Sequence, residues 1–173
     1  MIMLGQITSM IGMILTIASF QMKTRKQIII FQTVGSAFFL ISYFLLGSRT
    51  AVYLNMIYLT RNFVFYFRKD YKWARHKSWI VIFLVAVVIA GVVGFRSWMD
   101  ILPIFGAVFA TIAMYMQSEN MLRLWNILAS PCWLIYNISV PSTGGVICEI
   151  FNMISIIVGL IRYKKDGVFT KKQ

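Results

Sequence analysis

Five stretches of this chain run for eighteen residues or more without a single charged side chain: Met1–Met22, Gln27–Ser48, Ser78–Phe95, Ile101–Ser118 and Leu124–Cys148. Two further segments, Thr50–Phe67 and Val146–Ile161, are apolar around one interior charge each, Arg61 and Glu149. A helix that crosses a bilayer needs about 20 apolar residues, so each of these segments is long enough to span, some with tilt or help from their flanks. The longest run is divided by the turn cluster Val140-Pro-Ser-Thr-Gly-Gly145, which separates a sixth segment from a seventh. With 60% hydrophobic and 13% charged residues in 173, one soluble core could not hide the apolar surface. The pattern predicts an all-α membrane protein of seven transmembrane helices joined by short loops. Met1–Met22 lacks the positive start and small-residue cleavage site of a signal peptide and reads as a retained first helix.

A net charge of +12 would point to an acidic partner in a soluble protein. Here its distribution gives another reading. With seven crossings, one side of the membrane holds Lys23, Arg25 and Lys26, then Arg68, Lys69, Lys72, Arg75 and Lys77, then Arg123, then Arg162, Lys164, Lys165, Lys171 and Lys172. The other side holds Arg49 and Arg96. The positive-inside rule then places the N-terminus outside and the C-terminus in the cytoplasm. Nucleic acid is excluded as a partner; the bilayer is the expected one, with anionic headgroups as a secondary attraction for the basic loops. Trp73, Trp79 and Trp98 flank segment ends and read as interfacial anchors.

The first three segments and the last three look alike. Thr16-Ile-Ala18-Ser-Phe20 lines up with Thr111-Ile-Ala113-Met-Tyr115. After a one-residue shift, Ser36, Leu40, Ile41, Ser48, Val52 and Arg68 align without gaps onto Ser130, Leu134, Ile135, Ser142, Val146 and Arg162. Three helices cannot repeat in the same orientation without an extra crossing, and Ser78–Phe95 supplies it. The expected architecture is a first three-helix repeat over residues 1–70, a basic loop and linker helix over 71–99, and a second repeat with a basic tail over 100–173. Such parallel repeats, related by an axis along the membrane normal, hold their substrate near mid-membrane between the halves.

Two resemblances follow from particular residues. Trp133-Leu-Ile-Tyr136, then Glu149, then Leu160-Ile-Arg-Tyr-Lys-Lys165 resemble a SWEET/SemiSWEET sugar-transporter repeat, where the position of Glu149 is an asparagine. The first repeat has Phe39 and Asn55 at the matching positions. Departures are Phe20-Gln21 in place of a Pro-Gln pair and Asn137 in place of a glycine. The nicotinamide riboside transporters share the three-one-three plan. Over most of its length the chain resembles the bacterial YgjV-type inner-membrane proteins, through Ser19-Phe-Gln-Met-Lys-Thr-Arg-Lys26, Leu46-Gly47, Asn55, Arg61-Asn62, Ser130-Pro-Cys-Trp-Leu-Ile-Tyr-Asn137 and Gly145-Val-Ile-Cys-Glu-Ile-Phe-Asn152. That resemblance implies a multi-pass inner-membrane protein and brings no substrate with it.

The polar residues inside the apolar segments are the candidates for function. Arg61 lies about 16 Å along its helix from Thr50, at about 1.5 Å per residue. An intramembrane guanidinium either faces the bundle interior with a partner or an anion, or snorkels to the nearer interface. Glu149, in the matching helix of the second repeat, is about 9 Å nearer the opposite face. It could carry a proton, bind a cation or reach Arg61 in an ion pair. Asn55, Asn137 and Asn152 can hydrogen-bond a solute or a neighbouring helix, as can Gln21 and Gln32. Trp133 offers a flat face, and Pro131 removes a backbone donor where a helix could hinge.

No catalytic constellation stands out. There is no Ser-His-acid set, no metal-ligand spacing and no phosphate-binding glycine loop; Asp100 stands alone, and Cys132 and Cys148 read as small buried thiols. The expectation is therefore no enzyme and no cofactor. What remains is a transporter of a small polar solute, with Trp133, Asn137, Asn55, Arg61, Glu149 and Asn152 as its site and Pro131 as hinge. The rival expectation is a non-transporting scaffold, assembly or lipid-interaction protein; in either case a second copy of the chain is an open partner.

Overall fold

The computed structural model describes residues 1–19, 22, 25–116 and 119–165. Gln21, Lys23, Lys171 and Lys172 lie outside the described residues. Every regular element among them is helical: α1 (Ile2–Ser19), α2 (Arg25–Leu45), α3 (Arg49–Tyr66), α4 (Lys72–Arg75), α5 (Ser78–Gly94), α6 (Ile101–Tyr115), α7 (Glu119–Ser139) and α8 (Thr143–Lys165), with single 3₁₀ turns at Phe67–Lys69 and Trp98–Asp100. Three helical stretches, Ile2–Ser19, Lys26–Leu45 and Trp98–Tyr115, are long and apolar enough to cross a membrane; Ser78–Gly94 and Thr143–Val158 are shorter apolar helices. Helices suit such a sequence because in lipid each backbone N–H and C=O must find its partner within the chain.

The helices form a closed ring. α1 packs on α2, α2 on α3, α6 on α7, α7 on α8, and α8 returns to α1. α5 bridges α3 and α6 from outside, burying Phe83, Val87, Gly91 and Gly94 on one stripe. Its other stripe, Val81, Val85, Val88 and Val92, is exposed, as are Ile7 and Ile14 of α1 and Phe44 of α2. An apolar outer surface of this extent belongs in lipid.

Small residues set the closest seam. α1 turns Gly5, Ser9 and Gly12 inward, one turn after another, so backbones can approach. α8 meets that face at its own start, where the helix has unsatisfied N–H groups. Gln6 Oε1 accepts from the Thr143 N–H (3.0 Å) and Ser9 Oγ from the Gly144 N–H (3.2 Å), while Gln6 Nε2 donates to the Pro141 carbonyl. A Cβ at Gly144 would lie 2.3 Å from the Ser9 carbonyl carbon and oxygen. At the α2–α3 turn the need is conformational: Gly47 has φ +78°, a region that only glycine enters freely.

At the end carrying residues 67–77, Arg68 donates to the Tyr115 carbonyl (2.8 Å), satisfying the last turn of α6. Trp79 Nε1 donates to the Trp73 carbonyl (2.8 Å), so two of the expected interfacial anchors hold each other. The pair Lys26–Asp70 (2.8 Å) is half exposed and contributes little.

Replacing Gly144 with alanine should force α8 off α1 and lower stability by about 1–3 kcal/mol. Thermal unfolding of purified protein in detergent measures it. A Gly144→Leu protein should fail to elute as a single species on size exclusion.

Candidate functional site

The ring surrounds a partly open cavity of about 160 Å³, lined from six helices: α1, α2, α3, α6, α7 and α8. α5 contributes nothing to its wall. Trp133, Asn137, Asn55, Arg61, Glu149 and Asn152 all face it, so the sequence candidates from three helices, α3, α7 and α8, meet in one place. Pro131 does not line it; α7 runs through Pro131 as one unbroken helix.

The walls match position for position. Gln32 and Asn126, Ser36 and Ser130, Phe39 and Trp133, Tyr43 and Asn137, Asn55 and Glu149, and Tyr58 and Asn152 all line the cavity, each pair 94 positions apart (126 minus 32). Side chains that share a helical face recur every three or four residues, which explains the spacings within each half.

Arg61 is buried, 4% exposed, and faces the interior rather than snorkelling outward. Its Nη1 donates to Thr111 Oγ1 (3.1 Å), tying α3 to α6; Nη2 and Nε donate to Asn62 Oδ1 (3.2 and 3.4 Å). The guanidinium carbon sits 4.2 Å from the centre of the Tyr58 ring, a cation–π contact. No Arg61–Glu149 ion pair forms: among the described residues the ion pair within 4 Å is Lys26–Asp70.

Glu149 instead accepts from Asn152 Nδ2 (3.4 Å) and from the Ser130 hydroxyl. Its partial exposure is to the cavity. Asn152 Oδ1 is buried with no hydrogen-bond partner in the protein. Asn55 spends its amide on the Ala51 carbonyl (2.9 Å), and Asn137 accepts from the Tyr43 hydroxyl (2.7 Å). Trp133 is 6% exposed; its Nε1 donates to Tyr58 Oη (3.2 Å), and Tyr43, Tyr58 and Tyr136 surround its ring at centroid distances of 6.0–6.2 Å. Trp133 is thus a fixed part of the wall and not a free flat face.

Asp100 is not solitary. Its Oδ2 accepts from the backbone N–H of Arg96 (2.9 Å) and Ser97 (2.8 Å), closing a capping box, and its Oδ1 accepts from Tyr136 Oη (3.2 Å). Ser48 Oγ meets the same phenol oxygen at 2.5 Å. This network borders a second cavity, about 370 Å³, at the end that carries Arg49 and Arg96.

Sequence reasoning missed Tyr58, Asn62, Thr111 and Tyr43. Tyr58 is one turn before Arg61 on the same face and Thr111 aligns with Thr16 in the sequence, so a signal existed for both. Thr111→Val should leave the buried guanidinium short of an acceptor and cost about 1–3 kcal/mol. Chemical or thermal unfolding checks it, and Thr111→Ser should restore most of the loss.

A family model described as bacterial inner membrane protein, Imp-YgjV, matches residues 3–167. No curated protein and no solved structure matches the chain. An apolar helical ring around a polar interior accords with that description, and the match covers nearly the whole sequence: the chain belongs to the Imp-YgjV family of bacterial inner membrane proteins.

Proposed function

We propose that the protein moves a small polar solute across the inner membrane by alternating access. In this reading α1, α2, α3, α5, α6, α7 and α8 are seven transmembrane helices. They form two parallel three-helix repeats, α1–α3 and α6–α8, joined by α5, in a SWEET-like plan. The N-terminus is outside and the basic end faces the cytoplasm.

One observation carries the reading: an apolar bundle keeps a polar cavity at its centre, to which both halves contribute matching positions. Buried polar groups in a membrane are costly and mark pathways for solutes. The α1–α8 seam and the thinner α3–α6 contact are where two halves would rock. Substrate-binding residues are Trp133, Asn137, Asn55, Arg61, Glu149 and Asn152, and Pro131 of α7 is the hinge. No covalent step is needed, only a solute affinity that differs between the two states.

The test is a thermal-stability screen of purified protein against sugars, nucleosides, vitamins and amino acids, repeated with Trp133→Ala. The expected result is a stabilising solute whose effect disappears in the variant, and uptake of that solute by proteoliposomes. A scaffold or lipid-interaction protein would be stabilised by none of them. For topology, a fluorescent protein fused to the C-terminus should be bright and a phosphatase fused there inactive.

A further inference from the structure

Resting on the transport reading of the central cavity, we infer that its solute is an extended zwitterion, with an ammonium group held at Glu149 and a carboxylate held at Arg61.

Two opposite charges line one cavity without meeting. Of the five N–H donors of Arg61, three bond Asn62 and Thr111, and the guanidinium lies over the ring of Tyr58; none of these partners is an anion. Its charge is hydrogen-bonded but not neutralised. Glu149 is met by Asn152 and Ser130, neither of them a cation. Charges kept in a membrane bundle without a counter-charge are expensive. A solute carrying both complementary charges neutralises both at once. A singly charged solute leaves one, and a neutral sugar leaves two.

The hydrogen-bonding groups point the same way. Asn152 must turn its Nδ2 towards the Glu149 carboxylate, because two acceptors would repel. Its Oδ1 is then a buried acceptor with no protein partner, beside the carboxylate oxygens. Two adjacent acceptors, one of them charged, suit an ammonium group. The planar fork of Arg61 suits a carboxylate.

Spacing decides between kinds of zwitterion. Two aromatic rings stand between the charges: the Arg61 guanidinium rests on the Tyr58 ring (4.2 Å), Tyr58 packs on Trp133 (6.0 Å), and Glu149 accepts from Ser130, one turn before Trp133 on α7. An α-amino acid head, with its charges adjacent, cannot engage both. A chain or ring between the charges can, lying along the wall of Tyr58 and Trp133.

The test uses the full chain in nanodiscs with 6-aminohexanoate and 4-(aminomethyl)benzoate as probes, against butyrate, butylamine, glycine and glucose. At least one extended zwitterion should raise Tm by a few degrees and bind about tenfold or more tighter than either singly charged probe, the gain expected of a second desolvated charge pair. Glu149→Gln should reduce its affinity to that of butyrate, and Asn152→Leu should weaken it in the same direction if Glu149→Gln fails to fold. Equal stabilisation by butyrate, by glycine, or by the zwitterions in both variants would overturn the zwitterion. Stabilisation by glucose alone, lost in Trp133→Ala, would overturn it and leave transport standing. No stabilisation by any probe or by the broader screen would overturn both.

Discussion

A guanidinium held inside an apolar helical ring needs polar partners from more than one helix, and Arg61 obtains them from α3 and α6 together. That requirement shapes the surroundings. Thr111 and Asn62 must point inward, Tyr58 must present its face, and Trp133 is then fixed by its bond to the Tyr58 phenol. The aromatic wall around Trp133 and the polar wall around Arg61 are one construction.

The two ends of the ring are held differently. Opposite the basic loops, Ser48, Tyr136 and Asp100 tie the α2–α3 turn, α7 and the start of α6 together, while Gln6 and Ser9 serve the first turn of α8. Each of these bonds satisfies a helix end or a buried hydroxyl that the membrane could not. At the basic end the ties are aromatic and cationic, through Arg68 on Tyr115 and the Trp73–Trp79–Phe83 stack. The residues that line the cavity lie along the helices between these two layers.

Position 149 is where the two halves differ most in consequence. Asn55 satisfies its amide from its own helix and is neutral, whereas Glu149, 94 positions on, brings a carboxylate that accepts from Asn152 of its own helix and from Ser130 of α7. The asymmetry gives an otherwise matched cavity a charged side in each half, Arg61 in one and Glu149 in the other.

The sequence by itself determined that the chain is helical, that it belongs in a membrane, which segments carry its interior charges and which of its positions align at a constant offset. Those properties follow from local composition, from the length of apolar runs and from a constant offset, none of which requires knowing what packs on what. It also singled out the six polar and aromatic residues that meet in the cavity, because a polar group in an apolar run has few places to go but inward. Only the tertiary structure decided what each of them touches. Arg61 could have found Glu149, the interface or Thr111; the packing of α3 beside α6 settled it. Asp100 read as solitary because its partners, two backbone N–H groups and Tyr136, carry no pattern along the sequence. The Gly144–Ser9 seam was equally silent, since any small residue in an apolar run looks alike until a second backbone arrives against it.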